Sequence, residues 1–271
     1  MQEMRSTPGS YVSVFQQQRR TWVNSCWRVF IVVTLVALSS WYTGLLDSKR
    51  VVEGIPSIAG LIKESLPPNF KDAHDWIKPL VDTMAMSVAG TALAILISLP
   101  LSLLGARNTS PHPLVYATAR GVLNGLRSVP ELIMGILFVA AVGFGALPGV
   151  LALGLHSVGM VGKFFAENIE HADNGPIEAV KSSGASPLQV IVHGILPQVL
   201  PQMADVTIYR WEYNFRASTV MGMVGAGGIG LELMSSLRIM QYRDVSAILI
   251  VILLMVTAVD EVGAFLRRRF K

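Results

Sequence analysis

The sequence predicts an all-α integral membrane protein that crosses the bilayer with six helices. Three observations lead there. Charged residues make up only 15% of the 271, against roughly 25% in an average soluble domain. Hydrophobic residues make up 52%, and the mean hydropathy is +0.51. Uncharged stretches are also long: Thr83 to Ala106 is 24 residues without an ionisable side chain. At ~1.5 Å per residue, a helix of that length crosses a hydrocarbon core of about 30 Å. So few charges cannot cover a soluble globule of this size.

The elements follow in order. Residues 1–28 form a cytoplasmic segment carrying Arg19, Arg20 and Arg28. Residues 29–46 are the first transmembrane helix, flanked by Trp27 and by Trp41-Tyr42 as interfacial belts are; no small-residue cleavage site follows, so it reads as uncleaved. Residues 47–82 are an external segment with five basic and six acidic residues, Pro67-Pro68 at its middle and a short surface helix. The second span runs from Thr83 to Leu104, with Pro100 near its end, where a lost backbone bond is easiest to tolerate.

From Leu132 to Gly162, 31 residues carry no formal charge when His156 is neutral. That is too long for one span and too short for two. The stretch resolves as two helices broken at Gly143–Gly149, with outer ends reaching toward Arg127 and Glu131 on one side and Lys163 and Glu167 on the other. A fifth span begins near Leu200 and contains charges; the sixth runs from Val245 to about Leu266, before the tail 268–271. Residues 83–267 thus form a five-helix core, with a cytoplasmic loop at 171–198. Thirteen basic residues fall on the side of both termini and seven on the other. The positive-inside rule then places both termini in the cytoplasm of a multi-pass bacterial inner-membrane protein.

Composition excludes other classes. Cys26 is the one cysteine, so neither an internal disulfide nor a Cys-rich zinc site is available. The pI of 9.3 does not point to nucleic acid, because the basic residues sit at span ends. Five scattered histidines, three of them (His74, His112 and His171) in loops, make no metal or hydrolytic constellation.

Asn174-Gly-Pro-Ile-Glu178-Ala179-Val180-Lys181-Ser-Ser-Gly184-Ala-Ser186-Pro187 reads as helix, corner, helix. Asn174 can cap the first helix with Pro176 in its first turn, and Glu178 favours the positive end. Gly184 can take the left-handed conformation that ends it, and Ser186-Pro187 signals a new start. Any interfacial connection between helices gives the same local pattern.

The spacing is more specific. Glu178-Ala179, Gly184 six residues after Glu178, and Leu196-Pro197 resemble the EAA loop of ABC-importer permeases, with Val180 for the second alanine and Gly194 in the isoleucine slot. A second block runs through Arg210, Glu212, Asn214, Arg216 and Ser218-Thr219 into Val224-Gly225-Ala226-Gly227-Gly228-Ile229-Gly230. It is similar to the phosphonate-type branch, and its glycine end is shared with methionine-type permeases. The resemblance implies a methionine-permease-like type I core in the last five helices. It further implies a homodimer, two copies of a cytoplasmic ABC ATPase and an extracytoplasmic substrate-binding protein, with phosphonates or related phosphorus oxyanions as cargo. Ile177, Glu178, Ala179, Val180, Lys181 and Gly184 would then form the coupling helix docked on the ATPase. No catalytic residue, metal or cofactor belongs to this chain; ATP and Mg would be bound by the partner. Gly225, Gly227 and Gly230 also fit GxGxxG, but that fingerprint needs a strand before it and a βαβ unit around it. No GxxxxGK[ST] occurs.

Each charge inside the membrane costs at least about 2.5 kcal/mol on insertion scales, so it faces a partner or a wet cavity. Glu212 and Arg216 are four apart on one helix face and can neutralise each other; Arg210 does not share that face and needs another partner. Arg210 and Arg216 are therefore candidates for the oxyanion pathway, with Glu212 holding their geometry and Asn214 and His156 beside them. Guanidinium suits the role because it forks onto phosphoryl oxygens and stays charged. A lone membrane histidine is more often a helix–helix hydrogen-bonding residue. Arg127 and Glu131 read as an i, i+4 anchor or gate brace, and Gly225, Gly227, Gly228 and Gly230 as structural or gating glycines. Gly154, Gly159 and Gly162 permit close helix approach. A same-family permease for another solute such as methionine, and a secondary transporter or channel, share the composition; the latter has no need of the corner at Gly184.

Overall fold

The computed structural model describes residues 8–270, and the chain divides into two compact units, one up to Lys63 and one from Glu64 onward. In the first, α1 (Pro8–Tyr42) and α2 (Ser48–Glu64) are joined by a tight turn. Within α1, Asn24–Tyr42 is long and apolar enough to cross a membrane. The helix stops four residues before the expected end at 46. There Leu45 N–H donates to the Ser40 carbonyl (2.9 Å), closing the last turn through Gly44. Within 47–82, where a short helix is expected, α2 is present, with apolar residues at three- and four-residue spacing.

In the second unit, α3 (Ile77–Leu104) begins six residues before Thr83, so Asp82 is already helical. Trp76, just ahead of α3, is buried against Ile229, Ala247 and Ile248, which fixes the start of the helix. Next come α4 (Pro113–Ser128), α5 (Glu131–Val142), α6 (Ala146–Glu170), α7 (Asn174–Ser182), α8 (Pro187–Val190), α9 (Leu196–Met221), α10 (Ile229–Arg238) and α11 (Tyr242–Phe270). Among the described residues, four helices are long and apolar enough to cross a membrane, and up to six spans result when each of two bent pairs counts as one. The break expected over Gly143–Gly149 is present but shorter, confined to residues 143–145: α6 already starts at Ala146, with Pro148 in its first turn, where a missing N–H costs nothing.

A second break was not expected. The helix before that glycine does not run back through Glu131 to Arg127: it stops at Glu131, and α4 and α5 meet at 86°. Pro130 accounts for this. It lacks an N–H and forces the residue before it out of the helical region, and Val129 is indeed extended (φ −85°, ψ 121°). The Arg127–Glu131 pair therefore does not form. Arg127 is exposed, while Glu131 opens α5.

Helix α6 is the central post, packed on α3, α4, α5 and α9. A Cβ at Gly159 would stand 2.6 Å from backbone atoms of α4, and one at Gly154 would stand 2.7 Å from Leu93 on α3. These glycines admit close approach, as expected. At the end of α9 a π turn over Gly222–Ala226 leads into α10. Gly225, Gly227 and Gly228 have φ of 103°, 77° and 73°, and only glycine holds such a run cheaply. The segment follows a helix, not a strand, so its glycines bend backbone rather than cradle phosphate.

Candidate functional site: a helical corner and a charged interior

Helix α7 is capped one residue earlier than expected. Asp173, not Asn174, is extended, and its Oδ1 accepts from Gly175 N–H at 3.1 Å. Gly184 turns the corner at φ 81°. Beyond it, Ser186 and Gln189 close a capping box on α8. The corner is fastened to α9 by two bonds: Asp173 N–H donates to Gln198 Oε1 (2.9 Å), and Gln198 Nε2 donates to the Asp173 carbonyl (3.2 Å).

Ile177 roots α7 in a cluster with Val161, Phe165, Ile169, Val199 and Met203, and Val180 packs at its edge. Glu178, Ala179, Lys181 and Gly184 are exposed. Gly194 stands where the resemblance has isoleucine, and the structure shows what the small residue permits: a Cβ there would lie 3.4 Å from Ile177 Cα. Helix α7 thus sits directly over the π turn Ile191–Ile195, which precedes Pro197 and its missing N–H. A cavity of about 330 Å³ opens beside the corner, lined in part by Asn108, Ile177, Lys181 and Pro187.

The interior charges divide between two faces of α9. On the face toward α5 and α6, Arg210 is 2% exposed. Its Nε donates to Ser157 Oγ (2.7 Å), its Nη1 points to Met160 Sδ (3.1 Å), and its guanidinium lies 4.3 Å from the Tyr213 ring centroid. Its carboxylate neighbour is Glu131, with Nη2–Oε2 at 4.0 Å. Tyr213 Oη donates to Glu131 Oε1 (3.0 Å), and His156 Nδ1 bonds the Val129 carbonyl (3.1 Å). His156 is therefore a helix–helix tie that also brings Nε2 to 3.8 Å from Glu131 Oε2.

Asn214 is fully enclosed. It links Ser157, at 3.1 Å, to Thr91, to which its Nδ2 donates at 2.9 Å. It is therefore part of the packing of α3, α6 and α9 and lines no channel within one chain.

On the face toward α11, the expected Glu212–Arg216 pair is replaced by two longer-range pairs. Glu212 binds Arg267 (Oε1–Nη1 2.5 Å) and Arg216 binds Asp260 (2.9 and 3.1 Å). Residue 263 explains why Glu212 fits: a Cβ on Gly263 would overlap the Glu212 carboxylate. Glu212 thus holds α11, not Arg210. Arg210, with Tyr209, Glu212, Arg267 and Asp205, lines a cavity of about 680 Å³.

Sequence reasoning missed Ser157, Tyr213, Asp260, Arg267 and the stripe Thr83, Ser87, Thr91 on α3. Thr83 Oγ1 accepts from Ile229 N–H (2.9 Å) and so pins α10 to α3. Hydroxyls at spacing four, facing the bundle on an otherwise apolar helix, were the available signal.

The model for the binding-protein-dependent transport system inner membrane component matches residues 98–271. The phosphite transport system permease protein PtxC of Stutzerimonas stutzeri is 65% identical over 250 residues, covering 92% of this chain and 91% of that protein. This chain belongs to that family. The phosphate-import permease protein PhnE of Mycolicibacterium smegmatis is 41% identical over 85% of this chain and 43% of its own length. Among solved structures, the inward-facing MetNI methionine ABC transporter aligns with a TM-score of 0.63 at 20% identity, covering 72% of this chain and 96% of that one, which shows the shared fold. As a binding-protein-dependent permease, the protein is a multi-pass inner-membrane component of an ABC importer and not a catalyst. Hydrolysis of ATP belongs to a separate ATPase, and the family implies that ATPase and a substrate-binding protein as partners.

Proposed function

We propose that this permease imports a phosphorus oxyanion, with phosphite first and phosphonate and phosphate in the same class. The observation that carries the reading is the 65% identity to a phosphite permease over nearly the whole of both chains. The transporter would pair two copies of this chain with two ATPases, each holding ATP and Mg, and with an external binding protein, both termini lying in the cytoplasm. Residues Ile177, Glu178, Ala179, Val180, Lys181 and Gly184 form the helix that docks on the ATPase. The exposed Glu178–Lys181 face over a single buried root suits a part that is gripped from outside. ATP must favour one permease state over the other, or nothing moves.

Of the charges, Arg210 and His156 border the cargo path, while Glu212–Arg267 and Arg216–Asp260 hold the α9–α11 seam. The double substitution Glu178→Ala with Gly184→Val tests the docking helix. At normal membrane abundance, the ATPase should no longer co-purify and phosphite uptake into vesicles should fall to background. Retained docking with retained uptake would refute the assignment and favour a transporter that works without an ATPase.

A further inference from the structure

Glu131 stands where α5, α6 and α9 converge, and its carboxylate is half satisfied. Tyr213 Oη donates to Oε1, but Oε2 has no hydrogen-bond partner; His156 Nε2 is 3.8 Å away and Arg210 Nη2 4.0 Å. Arg210 Nη2 is also unpartnered, although its side chain is only 3% exposed. The rest of the guanidinium is fixed by Ser157, Met160 and the Tyr213 ring. A charge-assisted bond would bring its acceptor to about 2.7–2.9 Å. The donor is preorganised, and the internal carboxylate does not reach it.

We propose that this is an oxyanion site in which the Glu131 carboxylate stands in for cargo. Without cargo, Glu131 neutralises Arg210 from a distance. An arriving phosphorus oxyanion displaces the carboxylate and takes the Arg210 Nη2 and Tyr213 Oη donors; the carboxylate's return lets it go. This rests on the permease reading above. Of this cluster, Arg210 is the member that also lines the 680 Å³ cavity, so the proposed route to the site runs past its guanidinium. Arg267, which also lines that cavity, is already paired with Glu212, so Arg210 is the cation an entering anion can compete for. A carrier needs a site that binds and releases, and an internal competitor supplies the release.

His156 adds a preference. Its Nδ1 proton is committed to the Val129 carbonyl, so in the neutral ring Nε2 presents a lone pair to the site. That suits an anion that carries its own proton. A monoprotonated phosphorus oxyanion has a P–OH group to donate, and sulfate has none.

The test uses the assembled permease–ATPase complex in detergent, with inorganic phosphite and sulfate as probes and calorimetry as the readout. Glu131→Gln should bind phosphite about ten-fold more tightly than wild type, with no comparable gain for sulfate. Adding Arg210→Gln should erase the gain. Unchanged or weaker phosphite binding by Glu131→Gln overturns the proposal. Should that variant fail to accumulate, Glu131→Asp withdraws the carboxylate by one methylene: a smaller gain supports the exchange, and none overturns it. Uptake by wild-type vesicles carrying the ATPase and binding protein separates the two readings. Transport of phosphite without any gain in Glu131→Gln removes the exchange alone. No uptake of phosphite, phosphonate or phosphate removes both.

Discussion

The two faces of α9 hold charges in opposite styles. Toward α11, Glu212 and Arg216 each find a partner at hydrogen-bond distance, and Gly263 is shaped to receive one of them. Toward α5 and α6, Arg210 and Glu131 stop 4.0 Å apart, with one unpartnered atom on each. Both faces lie on one helix, two residues out of phase, so local sequence does not explain the contrast. A closed buried pair is a fastening, because removing one partner strands a charge at about 3–5 kcal/mol. An open pair keeps much of the desolvation cost and forgoes the directional bond. That is tolerable where something else is meant to take the bond.

The largest expected effect breaks the comparison at its open side. Exchanging the charges, with Glu131→Arg and Arg210→Glu together, keeps the pair but puts an anion where Ser157, Met160 and Tyr213 position a cation. Phosphite uptake should fall by roughly a hundred-fold or more, as for loss of a contact worth about 2.7 kcal/mol; uptake near wild type would make the pair merely structural. Next comes the fastening. Gly263→Ala drives Glu212 off its seat, so the detergent-solubilised permease should lose about 1–2 kcal/mol of stability, seen as a lower melting temperature and less protein in the membrane. An unchanged melting curve would mean that the seam yields freely. The smallest effect is at the rim, where Arg216 and Asp260 are 44% and 45% exposed. Swapping them as Arg216→Asp with Asp260→Arg should cost no more than about 1 kcal/mol and leave uptake intact.

How much of this was legible depends on how far apart the cooperating residues lie. The long apolar helices, a break starting at Gly143 and the corner at Gly184 each depend on neighbours within a few positions, so composition and turn chemistry revealed them. The cap at Asp173 was misplaced by a single residue, because Asp and Asn compete for the same geometry. The bend at Pro130 was local too, and Ser128-Val129-Pro130-Glu131 carried its signal. The run of uncharged residues nearby outweighed it, and so a false Arg127–Glu131 pair was drawn across a corner. The partner of Arg210 was beyond reach: Glu131 lies on another helix, and only the packing around α6 brings the two together. Arg267 and Asp260 were hidden for the same reason, with the local i, i+4 geometry of Glu212 and Arg216 offering a plausible substitute.

The two bonds between Asp173 and Gln198 reach further than the corner they brace. Gln198 lies in the first turn of the helix that carries Arg210, roughly 18 Å further along at 1.5 Å per residue. A stiff helix tied at one end to the proposed docking corner would carry a small displacement of that corner along to its far end. Shifts of about an ångström, the scale at which packed helices slide, are comparable to the distance by which the guanidinium and carboxylate miss each other. On the docking and exchange roles proposed above, the nucleotide cycle would gain a mechanical handle on when the anion is held and when it is let go.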